Sequence, residues 1–327
     1  MPSEIESQMN WLFRPAERQD ADDIHRLLGS IAAAEGNIST TTREDVVQLF
    51  EDIRIDPPDD SRLVFDDQHA LVGAAWVVVN PAAEGHAHAE LWFDTHPDCE
   101  YKGFILEALL TWAEERGSQR IHQIHPAAEL PRFLLTACWQ DHNDRAVLLD
   151  RHGFIPLRYF YRMRRDLQLP VPEPVVPPDL ILCTYRSELS EALRQAYNQI
   201  FREDWNFQYA NPVDWQRLYV GRQDFFPENT FLAMAGDEIA GFSLNHVHGI
   251  QADQQEGFIT YIGTHENWRK RGVATILLNA SLRAFQQRGL PSASLAVDTD
   301  NPNEAFTLYR KQGFMPQRIL VHYLKQV

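Results

Sequence analysis

The sequence predicts an α/β protein built of two tandem units. Three observations carry this expectation. Strand-like and helix-like segments alternate along the whole chain. The alternation is interrupted once, by five prolines (Pro170, Pro172, Pro174, Pro177 and Pro178) within nine residues. After that interruption the order of segments begins again, at an offset of roughly 160–170 residues. A length of 327 residues is comfortable for two domains, and 18 Phe, 10 Tyr and 8 Trp can fill two cores.

The first unit, residues 1–168, opens with a short strand at Trp11–Ala16. Asp20 then stands as the N-cap of a helix whose apolar face is Ile24, Leu27, Leu28 and Ile31. A second helix is expected from Thr42 through Phe50. Leu63–Phe65 and Leu71–Val79 flank the polar turn Asp66–His69 as a hairpin. A strand at Glu90–Asp94 leads to a helix from about Phe104 to Arg116. The block Leu148–Phe154 and a closing strand at Leu157–Met163 complete the unit.

Residues 169–179 are too rich in proline for a helix or a central strand and are expected to be a linker. The second unit, residues 180–327, repeats the plan with a strand at Leu180–Tyr185 and a helix at Glu188–Ile200. Phe231–Met234 and Glu238–Val247 pair around Gly236-Asp237. A strand at Gly257–Thr264 runs into the basic turn Trp268–Ala274. Ile276, Leu277, Leu278, Leu282 and Phe285 then mark one helix face, ended at Gly289. The block from Leu295 to Phe314 and a strand at Arg318–Leu324 close the chain.

The basic turn is the most informative stretch. A strand, a short glycine-containing turn and a helix start expose unpaired N–H groups at the positive end of a helix dipole, which suits a phosphate. The spacing is Arg-x-x-Gly-x-Ala, from Arg269 through Gly272 to Ala274. It has neither the Lys-Ser/Thr ending of a Walker loop nor the three glycines of a dinucleotide fingerprint. Downstream, Asn301 reads as an N-cap, Pro302 as a first helical residue and Gly313 as a C-terminal glycine.

Together the turn and the Asn301-x-x-x-Ala305-x-x-Leu308-Tyr309-x-x-x-Gly313-Phe314 block resemble the GNAT superfamily of acetyl-CoA-dependent N-acyltransferases. The resemblance implies that each unit is a mixed, centrally splayed β-sheet flanked by helices. It implies acetyl-CoA as co-substrate, with Ile262 and Thr264 pairing with the pantetheine arm like an added strand. Arg269, Lys270, Arg271, Gly272, Val273, Ala274 and Thr275 would hold the pyrophosphate, and Asn301 would lie near the pantetheine. Tyr309 would act as general acid for the departing thiolate. The alternative is a core aromatic with a satisfied hydroxyl, just as its N-cap role alone accounts for Asn301. Glu256 stands where related tandem enzymes often carry an acid and is the candidate base, although Gln254–Gly257 also reads as a solvated strand end. The stretch Phe201–Tyr209 interleaves acids with aromatics and resembles the mycothiol-synthase-like tandem branch, so Asp204 and Trp205 are candidates to bind a cationic amine. The acceptor implied is a primary amine of a small molecule or peptide; a longer acyl group, or a CoA-binding sensor without turnover, remains open.

The first unit departs from this pattern. Counted from His96 and His265, Gly103 falls where Gly272 does, Glu100 replaces Arg269 and Ile105 replaces Ala274. Leu149 takes the place of Tyr309. A degenerate N-terminal copy without chemistry is expected.

A formal net charge of −16 argues against a nucleic-acid or anionic-membrane partner. Cys99, Cys138 and Cys183 form no CxxC pair, which fits a reducing compartment. The longest apolar run is too short to span a bilayer, and the first residues lack the form of a signal peptide, so a cytoplasmic protein is expected. The pairs His86/His88, His122/His125 and His246/His248 have no cysteine or carboxylate at metal-ligand spacing, and no metal is expected. No feature of the sequence specifies an oligomeric state.

Overall fold

The computed structural model describes residues 11–36, 41–52, 54–79, 86–126, 130–205, 207–249, 255–300 and 305–327. They form two units: one comprises the chain up to Tyr159 together with Leu320–Val327, and the other Phe160–Ile319.

Unit 1 runs β1 (Leu12–Arg14), α1 (Ala21–Ala34), α2 (Arg43–Leu49), α3 (Pro57–Asp60), β2 (Ser61–Phe65), β3 (Leu71–Val79), β4 (Ala87–Thr95), α4 (Lys102–Ile124), β5 (Arg132–Trp139) and α5 (Asn143–Arg151), then enters β6 (Ile155–Asp166). The strands pair in sequence order, antiparallel except for the parallel pair β4–β5. The α2 start is a capping box: Thr42 Oγ1 accepts from the Asp45 amide at 3.1 Å and the Asp45 carboxylate accepts from the Thr42 amide at 2.8 Å. Asp20 does precede α1, but it makes no cap bond; its carboxylate is held by both Nη atoms of Arg14, at 2.6 and 2.7 Å. Strand β5 went unread because its apolar run, Phe133 to Cys138, sits between prolines and an acidic turn with no alternation to mark it.

Unit 2 takes the second part of β6 and continues with β7 (Ile181–Thr184), α6 (Ser190–Ile200), α7 (Pro212–Trp215), β8 (Phe231–Ala235), β9 (Glu238–His248), β10 (Glu256–Thr264), α8 (Val273–Gln287), β11 (Ser292–Asp298), α9 (Ala305–Lys311) and the start of β12 (Met315–Gln326). Its strand order is β6–β11–β10–β9–β8–β7, antiparallel throughout except β10–β11. The last part of β12, Leu320–Gln326, pairs with β5 of unit 1. The units therefore divide inside β6 and β12. The proline-rich stretch expected to link them lies within the second unit. There Val171 is buried against Leu282 and Phe285, and Arg165 Nη2 donates to the Pro170 carbonyl at 2.8 Å.

The core of unit 2 is built on α8. Val273, Ile276, Leu277, Leu278, Leu282 and Phe285 are all buried, each worth roughly 1.5–3 kcal/mol on transfer from water. Two glycines of the sheet allow the helix to lie this close. A Cβ on Gly241 of β9 would stand 2.8 Å from Val273 Cγ1, and one on Gly257 of β10 would stand 2.4 Å from the Phe285 ring. A buried polar triad fixes the register between them: Ser281 Oγ donates to Ser243 Oγ at 2.9 Å, Ser243 Oγ to Asn245 Oδ1 at 2.9 Å, and Asn245 Nδ2 to Ser281 Oγ at 2.8 Å.

Two outcomes follow for stability. Gly257→Ala forces a methyl into the Phe285 ring and is expected to cost about 1–3 kcal/mol, read as a lowered denaturant midpoint at unchanged slope. In unit 1, His152 lies 2.7 Å from Glu114 and 2.9 Å from Glu107. Burial lowers its pKa, but the bonds to the two carboxylates outweigh burial and the net shift is upward. Its contribution is therefore fully present below the unfolded value of 6.5 and lost as pH rises through the higher folded value. The melting-temperature gap between wild type and His152→Asn should accordingly be wide at acidic pH and shrink as pH is raised. A gap that does not change with pH would contradict this ion-pair account.

Candidate active site

The site grows from a fork in the sheet of unit 2. Strand β10 pairs with β11 only at Gly257–Ile259, opposite Ala293–Leu295. Its pairing with β9 continues to Thr264↔Gly241 across a register shift between Ile259 and Tyr261. Beyond Ile259 one edge of β10 therefore faces away from any ladder partner, and Ile262, Gly263 and Thr264 present that edge to a cavity of about 1040 Å³. A strand edge of this kind is a template for an extended amide-bearing ligand. Gly263 is required here, because a Cβ would stand 2.6 Å from Ile200 and 2.9 Å from the Phe201 ring, and both side chains line the cavity.

The turn that follows presents main-chain donors to the same cavity. His265 anchors it, donating its amide to the Ala240 carbonyl at 2.9 Å. Lys270 and Gly272 take left-handed φ values of 61° and 81°. Gly272 is the N-cap of α8, with no side chain capping the helix. The first-turn N–H groups of Val273, Ala274 and Thr275 thus open on the cavity these residues line. A Cβ at Gly272 would meet nothing within 4 Å, so it is the φ value, and the room left for a ligand, that calls for glycine. Arg269 and Lys270 line the same cavity and are exposed at its rim.

Tyr309 of α9 closes the apolar end, 7% exposed, with its ring edge-on to Phe314 at 6.0 Å. Burial, and then the Asp204 carboxylate, hold its phenol well above the ordinary value. It is a neutral O–H donor at any physiological pH. Asp204 itself lines the cavity, beside Ala305 and Leu308.

Not all residues expected from the sequence meet here. Ile262, Thr264, Arg269, Lys270, Gly272, Val273, Ala274, Thr275, Asp204 and Tyr309 line the cavity. Arg271 turns away, to Asp179 at 3.2 Å and over the Trp268 ring at 4.7 Å. Trp205 packs its ring against Phe160 at 5.9 Å. Asn301 falls outside the described residues. Glu256 is not brought to the cavity. It stands at the far end of β10, roughly 20 Å from Ile262 at the usual rise per residue. It is buried there, accepting from Arg162 at 2.6 Å and Ser294 at 2.8 Å, with Arg164 at 3.3 Å. A carboxylate so engaged is a structural ion pair, and the base must be sought elsewhere. Sequence reading missed Ile200, Gly263 and Leu308. The glycine inside a strand was the available signal, since it marks a close approach.

Unit 1 repeats the fork and fills it. The His96 amide donates to Val72, as His265 does to Ala240. Ile105 and Leu109 pack on Gly73, as Val273 and Leu277 pack on Gly241. Ile105 is therefore the counterpart of Val273 and not of Ala274: five residues, 100–104, separate Cys99 from Ile105, where four, 269–272, separate Trp268 from Val273. Its side chain points into the core, fully buried, and does not stand over a phosphate position. Gly103 lies inside α4 without a left-handed φ, and the N-cap is Tyr101 at φ −102°. Leu149 does match Tyr309, since each accepts the amide of the following Phe, Phe154 or Phe314, at 3.0 Å. Strand β4 leaves β5 after Glu90, but the edge exposed there is taken by the protein itself. Thr136 Oγ1 donates to the Leu91 carbonyl at 2.9 Å. The buried Arg145 donates to the Phe93 carbonyl and, at 2.6 Å, to the Asp94 carboxylate. Phe93 is the counterpart of Ile262 in the count from His96 and His265.

Among the described residues, no group of three His, Cys, Asp or Glu is placed to hold a metal ion, and no helix is long and apolar enough to cross a membrane.

Comparison with known proteins meets this geometry. Residues 190–314 match the model of the acetyltransferase (GNAT) family. A mycothiol acetyltransferase of Streptomyces bingchenggensis is 32% identical over 53% of this chain, and the chain spans 56% of that relative's length. A mycothiol acetyltransferase of Geodermatophilus obscurus is 28% identical over 71% of this chain and 72% of its own. The solved structure of a tandem GNAT protein from the clavulanic acid biosynthesis pathway has a TM-score of 0.71 at 16% identity, covering 97% of this chain and 98% of that one. At that identity the likeness is one of fold. With the forked sheet and the left-handed turn at α8 lying within the matched residues, the stretch 190–314 of unit 2 belongs to the acetyltransferase (GNAT) family, and the chain shares the fold of that tandem GNAT protein.

Proposed function

We propose that unit 2 transfers the acetyl group of acetyl-CoA to a primary amine of a small molecule, in a cytoplasmic setting, by direct attack of the amine on the thioester. One observation carries the reading. A single cavity joins the free edge of β10, the left-handed turn at the start of α8 and the buried neutral phenol of Tyr309. These fit the three parts of an acyl-CoA in the order in which they are linked. The amides of Val273–Thr275, with Arg269 and Lys270, would hold the pyrophosphate. The Ile262 and Thr264 main chain would pair with the pantetheine amides. Tyr309 would lie at the sulfur.

The chemistry needs little more. The amine nitrogen forms a bond to the carbonyl carbon and gives up one proton, the C–S bond breaks, and the Tyr309 hydroxyl proton passes to the departing thiolate. A phenol is suited to this, because its proton stays in place until charge develops on sulfur. The curated relatives act under the name of mycothiol acetyltransferases, which favours a small-molecule amine over a protein as the acceptor. Asp204, on the cavity wall, would favour a cationic acceptor on its approach. Unit 1 would not bind the co-substrate, because Arg145 and Thr136 already occupy its strand edge.

Two outcomes check this. Tyr309→Phe is expected to lower kcat by about 10²-fold while leaving the acetyl-CoA Kd nearly unchanged; an unaltered kcat with the best amine found removes the acid role. Calorimetric titration with acetyl-CoA is expected to give one equivalent per chain. Binding should be abolished by Gly272→Val and kept by Gly103→Val. Two equivalents, or binding that survives the change at Gly272, would place the site elsewhere.

A further inference from the structure

With Glu256 bound up in an ion pair, the other face of the fork supplies a second candidate, beside the Asp204 carboxylate, to accept the amine's proton. The shift in register between Ile259 and Tyr261 leaves Thr260 as the extra residue at the point where β10 parts from β11. Ile259 packs on Leu278 and Phe285 beneath α8; Thr260 points to the opposite face and is half-exposed there. On that face its hydroxyl lies 2.6 Å from Nδ1 of His246 on β9.

His246 is only 3% exposed. Its ring stands edge-on to Phe225 at 5.8 Å, and Nε2 is buried without a partner at hydrogen-bond geometry. With the ring proton on Nε2, Nδ1 accepts from the Thr260 hydroxyl. Asp224, ion-paired to Arg222 at 2.8 Å, faces the same ring.

We propose that Thr260 and His246 form the proton relay for the attacking amine. This rests on the acetyl-transfer reading above. From the neutral amine, its ammonium proton already released to solvent, nitrogen bonds to the carbonyl carbon as one N–H proton passes to Thr260 Oγ1 and the Thr260 hydroxyl proton passes to His246 Nδ1. The imidazolium so formed faces the Asp224 carboxylate. Proton exchange with solvent afterwards restores His246 and the phenolate of Tyr309. The placement separates the two proton transfers. Tyr309 belongs to the core beneath α8 and α9, and Thr260 opens on the opposite face. The amine would thus arrive from one side of the sheet while the thiol is protonated on the other.

The charged and titratable groups facing His246 are Asp224, Arg222 and, on its own strand, His248. Burial, with Arg222 opposing Asp224, keeps His246 below the ordinary histidine value, and burial pushes His248 down to about 3. His246 is therefore neutral and able to accept a proton across the physiological range.

The test uses the full chain, with thiol release from acetyl-CoA measured against a panel of primary amines from about pH 6 to pH 9. Thr260→Val keeps the branched shape and removes the hydroxyl; Thr260→Ser restores it; His246→Gln keeps a hydrogen-bond partner and removes the base. Thr260→Val and His246→Gln are expected to lose about 10²-fold in kcat, with the acetyl-CoA Kd unchanged by calorimetry. Thr260→Ser should retain most of the rate. In His246→Gln the remaining rate should climb with pH where the wild type is level. Wild-type kcat and a level profile in Thr260→Val and His246→Gln would overturn the relay while leaving the acetyl-transfer reading intact. Should the wild type bind acetyl-CoA yet release no thiol with any amine, both would fall. If His246→Gln loses acetyl-CoA binding, the contrast between Thr260→Val and Thr260→Ser decides.

Discussion

The position of helix α8 on the sheet is the constraint on which the site depends. Gly241 and Gly257 lie under its two ends, against Val273 and Phe285. The first contact determines where the helix starts, and therefore where its unpaired N–H groups emerge. The second tilts its far end onto β10 just before that strand forks. The buried triad of Ser243, Asn245 and Ser281 then forbids a slide along the contact, because each polar atom would lose a partner with no water to replace it. An anion site made of main-chain groups, as proposed for this turn, has no side chains with which to adjust. It must be placed by packing, and these contacts place it.

Much of this was legible in the sequence because it is local. A strand, a glycine turn and an amphipathic helix can be read from period and residue type, and the turn predicted at Arg269–Ala274 is where the cavity wall lies. The block ending in Gly313-Phe314 likewise marks the helix that carries Tyr309. What could not be read was long-range. Glu256 looked free because the residues that hold it, Arg162 and Ser294, stand 94 and 38 positions away. Ile105 was matched to Ala274 because a one-residue difference in loop length is invisible in a count from His96, whereas packing on Gly73 and Gly241 exposes it at once. The boundary between units was sought at the prolines, but strands β6 and β12 each divide between the two units, and composition carries no trace of that.

The two forks offer a comparison within one chain. In each, one strand keeps its antiparallel partner and loses its parallel one, which leaves amide and carbonyl groups facing a gap. A buried group left so costs about 1–3 kcal/mol relative to a paired one. A protein retains that cost only where something else satisfies the groups, whether water, ligand or its own side chains. In unit 1 the chain supplies the partners, with the Arg145 guanidinium on the Phe93 carbonyl and the Thr136 hydroxyl on Leu91. In unit 2 the corresponding edge borders a cavity wide enough for an extended ligand.

The same reasoning explains why loss of function in unit 1 would be hard to reverse by substitutions in the turn alone. Restoring a glycine with left-handed φ before α4 would recreate an anion site, but the strand edge beside it would remain occupied. Removing Arg145 would free that edge and leave Asp94, 8% exposed and now without its cation, as a buried charge. Such an unpaired charge costs about 3–5 kcal/mol. Each step alone is therefore neutral or harmful, and only their combination would recover a site. Unit 2 is held in the opposite state by the same logic. A side chain inserted into its fork would satisfy the strand edge and stabilise the fold while excluding the co-substrate. The open edge of β10 is thus best understood as stability forgone at the one place where the proposed chemistry needs main-chain groups kept available.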